Sequence, residues 1–113
     1  MMSATVTMKN DTGGLIKFTN INPTNDDAEW GVNPPAPEAV AQGASVLVSM
    51  GNESAPFPKG VGFNSNFFDS AMNVGALNFD DPAVGKHSFA TSGPFNFVYT
   101  NSGDNYYVTI TAK

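Results

Sequence analysis

The sequence predicts an all-β protein: an antiparallel sandwich of about seven to nine short strands, with residues 1–113 forming one domain. Three observations point there. Apolar and polar residues alternate with period two in several runs. Eleven glycines and eight prolines interrupt those runs, which excludes long helices. Nine phenylalanines stand ready for a core, and a chain of this length can bury roughly two thirds of its unfolded surface without staples.

The elements follow in chain order. "ATVTMK" sets Ala4, Val6 and Met8 on one face and Thr5, Thr7 and Lys9 on the other. "NDTGG" turns the chain, and "LIKFTNI" aligns Ile16 with Phe18. "NDDAEWGVNPPAP", residues 25 to 37, reads as a long loop at one end of the sandwich. Pro34 and Pro35 fix φ and hold it extended, and Trp30 anchors it. "PEAVAQ" suits a single helical turn, and "SVLVSM" aligns Val46, Val48 and Met50. "FNSNFFDSAMNV", residues 63 to 74, spaces Phe63, Phe67 and Ala71 as a helix would. Its serines and asparagines disfavour a helix interior, so strand plus loop is expected. Weaker strands are expected at Val74 to Phe79 and Lys86 to Ala90. "FNFVYT" groups Phe95, Phe97 and Tyr99. "NYYVTITAK" puts Tyr106, Val108, Ile110 and Ala112 opposite Tyr107, Thr109, Thr111 and Lys113.

Charge and composition narrow the function. The formal net charge is -5, and all five basic residues are lysines. Without arginine there is no bidentate fork for phosphate or guanine, and the overall field repels polyanions. Nucleic acid is therefore not an expected partner. An electrostatic grip on anionic lipid would need a basic cluster that the chain lacks. With no cysteine, disulfides, thiolate metal sites and cysteine nucleophiles are excluded. No basic and apolar leader is visible, and no apolar run approaches a membrane span. The expectation is a soluble cytosolic product without a signal peptide that, if it acts outside the cell, leaves by a non-classical route.

No catalytic set is expected. His87 is the single histidine and shares its alternation with Phe89, which suits edge or core packing. "GxSxG" is missing, and nothing in the spacing of Asp69, Asp80 and Asp81 favours a glycosidase pair. No cofactor is expected. Asn25, Asp27 and Glu29 alternate ahead of Gly31, a loose match to a calcium loop, so Asp27 and Glu29 are the candidate calcium ligands. The expected ligand-binding residues are Trp30, Tyr107, Phe67, Phe68 and Asn66. Exposed aromatics beside asparagine stack on sugar rings and bond hydroxyls, or seat a protein at a lipid interface.

The ordered string "VTMKNDTGGLIKF", "EWGVNPP", "VAQGASVLVSMGNES", "KGVGF", "FDDPAVGKHSF" and "GDNYYVTITAK" resembles the aegerolysin-like proteins. That group includes fungal aegerolysins and small bacterial crystal-type insecticidal proteins. Asn10 and Thr12 look like the pair that ends the family's first strand, and Trp30 with Pro34 and Pro35 like its "W…PP" loop. Gly43 looks like the glycine before its central strand, and Gly60 and Gly62 like the glycines flanking the next. Asp81, Pro82 and Gly85 look like its "NP…G" turn, with aspartate in place of asparagine. The resemblance implies an actinoporin-like sandwich that recognises membrane lipid or glycolipid, sometimes forming pores with a larger protein partner. One departure matters. Where fungal aegerolysins carry "WDCPWG", this chain has "LNFDDPAVG", so their lipid specificity does not carry over. The leading expectation is thus a non-enzymatic membrane lipid or glycolipid binding protein, with a role in a cytolytic or insecticidal system. The alternatives are a soluble carbohydrate-binding lectin and a self-assembling homo-oligomer that serves structure or storage.

Overall fold

A computed structural model describes residues 2–24, 29–32, 38–52, 60–82 and 84–113. Ten strands follow one another: β1 (Met2–Asp11), β2 (Ile16–Pro23), β3 (Glu29–Val32), β4 (Glu38–Val40), β5 (Ser45–Asn52), β6 (Val61–Asp69), β7 (Val74–Asp81), β8 (Ser88–Ser92), β9 (Phe95–Ser102) and β10 (Asn105–Ala112). They form two five-stranded sheets, ordered β3-β5-β1-β10-β9 and β4-β2-β6-β7-β8. The fold is the all-β sandwich that the alternation predicts. The strand count lies just above the expected range, and one pair, β1 with β10, is parallel.

Two local expectations are corrected. "PEAVAQ" is not helical: Ala39 and Val40 pair with Lys17 and Ile16 as strand β4. A single helical turn has almost no hydrogen bonds of its own, and the free edge of β2 offers a ladder instead. Residues 29–32 are not loop either, because Glu29 and Trp30 pair with Gly51 and Met50 on β5. Residues 25–28 and 33–37, which include Asp27, Pro34 and Pro35, lie outside the described residues.

The longer strands spend one side-chain parity on the space between the sheets. Ala4, Val6 and Met8, then Val46, Val48 and Met50, then Tyr106, Val108 and Ile110 are buried from one sheet. Ile16, Phe18, Ile21, Phe63, Phe67, Leu77 and Phe79 meet them from the other. Rings bridge the two layers. Phe67 lies 5.2 Å from Phe18 in its own sheet and 5.0 Å from Phe95 across the gap, and Phe79 lies 4.8 Å from Tyr106. Fully burying one phenylalanine contributes about 1.5–3 kcal/mol, so these rings dominate the apolar term. Gly75 makes room for them, since a Cβ there would stand 2.6 Å from the Phe67 ring.

A bulge changes parity within β2. The register with β6 shifts between Phe18 and Asn20, so the inward residues run Ile16, Phe18 and then Ile21. Without that extra residue, Asn20 and Asn22 would share the buried parity.

One end of the sandwich is tied by Asn10, which is fully buried. Its Nδ2 donates to the carbonyls of Gly14 (2.7 Å) and Val40 (2.8 Å), reaching from one sheet to the other. Its Oδ1 accepts from the Thr12 backbone N–H (3.0 Å) and hydroxyl (2.7 Å). Gln42 adds a second tie, accepting from Gly13 N–H and donating to Asp11.

Removing this amide leaves buried groups unpaired, each at a cost of about 1–3 kcal/mol. Asn10→Ala is expected to lower stability by about 3 kcal/mol in denaturant titration. Asn10→Asp keeps the shape but sets an acceptor against two carbonyls, and should cost at least as much. A loss under about 0.5 kcal/mol for either variant would show that the tie is dispensable.

Candidate functional site

The sheet ends are chemically unlike. At the end tied by Asn10, β6 turns into β7 through residues 70–73, and Asp69 organises that turn. Its Oδ1 accepts from the backbone N–H of Ala71 (2.9 Å) and Asn73 (2.8 Å), and its Oδ2 accepts from Asn73 Nδ2 (2.9 Å). Its carbonyl accepts from Met72 N–H, and its own N–H donates to Asn73. These bonds, the Asn73 side chain first, hold the Asp69 carboxyl below its ordinary pKa.

The turn holds Met72 in the left-handed region at φ 65°, where it is the only described non-glycine residue with positive φ. A Cβ in that region costs about 1–2 kcal/mol. Yet Met72 is 70% exposed, so the strained residue contributes little to the core. Val74, at 63%, and Leu15, at 47%, are also exposed. Ile16 pairs with Asp69, so Leu15 lies at the same end, beside the turn. Gly93 lets β8 and β9 turn closely there, because its φ is 99° and a Cβ would stand 2.3 Å from the Val74 carbonyl oxygen. The result is an apolar tip held on pinned backbone.

Below the tip lies the outer face of sheet β4-β2-β6-β7-β8. One row across it runs Lys17, Phe68, Val74, and the next runs Asn20, Asn66, Ala76, Ser92. The third is Asn22, Asn64, Asn78, Ala90. Five asparagines thus occupy three adjacent strands on one face. Asn66 Nδ2 donates to Asn20 Oδ1 at 2.9 Å. Small residues on β7 and β8 leave a shallow groove of about 180 Å³, lined by Thr24, Asn64, Asn78, Asp80, Ser88 and Ala90. A primary amide offers both donors and an acceptor, so this face can meet hydroxyl groups in either sense.

The residues expected from sequence do not form one site. Asn66 is exposed on this face and Phe68 is half-buried beside it. Phe67 is corrected: it is 1% exposed and packed among Phe18, Phe95 and Phe97. Adjacent strand residues point to opposite faces, so Phe67 and Phe68 could not both bind a ligand. Tyr107 is 52% exposed, but on the outer face of the other sheet, in register with Thr7 and Thr100. The Trp30 backbone pairs with Met50 on β5. Three strand spacings, about 14 Å, separate it from the strand of Tyr107. Asp27 lies outside the described residues, and Glu29 sits on β3. Among the described residues no three acidic, histidine or cysteine side chains gather around a metal-sized space.

The opposite end is acidic and aromatic. Tyr106 donates its hydroxyl to Asp81 Oδ2 at 3.3 Å, and both residues are buried. His87 packs on Tyr106 with ring centroids 4.9 Å apart, and its Nε2 lies 3.1 Å from the Tyr99 hydroxyl. Phe89 closes the group at 4.6 Å from Tyr99. The imidazole is therefore a member of an aromatic cluster, as its parity with Phe89 suggests. Burial, then the neighbouring Asp104 charge, raises the Asp81 pKa. Burial, then the Asp81 charge, pushes Tyr106 up to about 12.

No protein-family model matches the sequence, and no curated protein matches it. Solved structures do share its shape. IP-1A from Alcaligenes faecalis superposes with a TM-score of 0.72 at 10% identity, over 99% of this chain and 91% of that one. RahU, solved in complex with a TRIS molecule, gives 0.72 at 10% identity, over 98% of this chain and 95% of that one. At such identity the likeness establishes the sandwich fold alone.

The acidic end sets the pH response. With its pKa raised in the fold, Asp81 binds its proton more tightly folded than unfolded. Stability is therefore favoured when Asp81 is protonated and declines as pH rises from 3.8 through the shifted value. Asp81→Asn should flatten that decline in thermal melts across pH; an unchanged slope would exclude Asp81 as its source. Tyr106 adds an alkaline limb, because the unfolded phenol ionises near 10.0 while the folded one resists to about 12. Stability should fall across that interval, with one tyrosine titrating late by phenolate absorbance.

Proposed function

We propose that this protein is a non-enzymatic binder of membrane glycolipid, seating the Met72 tip in the bilayer interface and reading a neutral sugar headgroup with the asparagine face. The carrying observation is Met72, a strained, exposed apolar residue presented on a turn that Asp69 holds at five points. Backbone strain clusters where function needs a fixed geometry.

Magnitudes favour a joint site. Burying the exposed parts of Leu15, Met72 and Val74 in lipid yields about 1 kcal/mol each. A sum near 3 kcal/mol corresponds to a Kd weaker than about 1 mM, so the tip alone cannot hold the protein on a membrane. Contacts from Asn64, Asn66, Asn78 and Asn20 to headgroup hydroxyls supply the remainder and the selectivity. A net charge of -5 and the lack of arginine disfavour anionic lipid and leave an uncharged, hydroxyl-rich headgroup as the fitting class. The resemblance of the sequence to aegerolysin-like proteins supports membrane lipid or glycolipid as the partner, without fixing the headgroup. The asparagine face also supports a second reading, a soluble lectin that uses the face without the tip.

Vesicle flotation separates these readings. Binding is expected to phosphatidylcholine–cholesterol vesicles containing a neutral hexosylceramide, with little to phosphatidylserine vesicles. Absence of binding to every composition would overturn the proposal, and capture of free oligosaccharide with no vesicle preference would favour the lectin. Met72→Gly gives a sharper test. Glycine relieves the positive φ, so stability should rise by up to about 1 kcal/mol while vesicle binding falls. A variant that is more stable and binds unchanged would remove the tip from the site.

A further inference from the structure

We propose that the β9 edge is a self-association surface, at which two copies of this chain join through antiparallel β9–β9 pairing. Among the described residues the sandwich has four edge strands, β3, β9, β4 and β8, and free edges are normally blunted by shortness, lysine, proline or bulges. Three of the four are short. β3 has four residues and a register shift, β4 has three residues, and β8 has five. β9 has eight residues and pairs with β10 without a break from Phe95–Ala112 to Ser102–Asn105. Its other side has no strand partner among the described residues. It contains no lysine, proline or bulge.

The occupant is a second copy because of charge and symmetry. Two molecules each carrying a net charge of -5 repel when most surfaces meet. Residues 88–103, which span β8, β9 and the turn between them, hold no charged side chain. Two copies can meet along this edge without opposing like charges. Val98 is 64% and Tyr99 46% exposed there. In an antiparallel pair, directly opposite residues share a face, so a self-pairing register joins residues of equal parity. One such register places Val98 against Val98, Phe97 against Tyr99, and Asn96 against Thr100. It makes apolar and aromatic cross-strand pairs of the kind that stabilise sheets. A two-fold contact of this type uses both copies of the edge and closes at a dimer.

The cysteine-free chain makes the test direct. In sedimentation the wild type should show a concentration-dependent monomer–dimer equilibrium. Val98→Lys, at an exposed position, should remain monomeric with unchanged circular dichroism and melting temperature. Val98→Cys should form a disulfide-linked dimer under mild oxidation well ahead of Ser45→Cys, an exposed control on β5. A wild type that stays monomeric to its solubility limit would overturn the proposal. So would a dimer that persists in Val98→Lys, or equal cross-linking of the two cysteine variants.

Discussion

The dry layer between the sheets is the constraint on which everything else rests. Phe67 packs within it near the end tied by Asn10, against Phe18 in its own sheet and Phe95 and Phe97 in the other. Interiors pack at crystal-like density, so a strand that contributes to this layer commits alternate residues to it completely. Chemistry is then confined to the outer faces, the two ends and the edges. The bulge after Phe18 shows how tightly this binds. By resetting parity before Ile21, it keeps an apolar residue inside and sends Asn20 and Asn22 out to join the amides of β6 and β7.

Parity is also what made the fold readable. Ala4, Val6 and Met8, Val46, Val48 and Met50, and Tyr106, Val108 and Ile110 alternate in sequence and are buried in the structure. The same rule exposes Phe67 as core, since it follows Phe63 and Ser65 at intervals of two and all three are buried. Phe68 alone of that pair could face out. A period-two signal for the asparagine face was present too, in "NIN", "NSN" and "LNF", but it emerges only when three separated strands are set side by side. β4 and the strand at Trp30 were not readable because neither has a pattern of its own; each is made by a neighbour's free edge. The Met72 tip was hidden for another reason. No alternation encodes a left-handed φ, and "DSAMN" becomes a pinned turn only once Asp69 and Asn73 are fixed by pairing.

The two ends divide the labour. Asn10 and Asp69 bond so many backbone groups at one end that exposed aliphatic residues can stand on it without loosening it. At the other, Asp81 and Tyr106, packed with His87, form a cluster whose stability depends on the protonation of the carboxyl and the phenol.

Edge pairing and the tip bear on one another through symmetry. Antiparallel β9 strands are related by a two-fold axis normal to their sheet, which reverses strand direction between copies. All the features of the tip, the turn at Met72, Val74 and Leu15, then point one way in the first copy and the opposite way in the second. A dimer of this form cannot lay both tips on a single bilayer. Its asparagine faces, however, lie on the same side of the joined sheets and remain open, because the contact consumes only backbone at the edge and the side chains of β8 and β9. If the proposed pairing and the proposed glycolipid site both hold, pairing would leave the asparagine face of each copy open, while only one of the two tips could reach a given membrane.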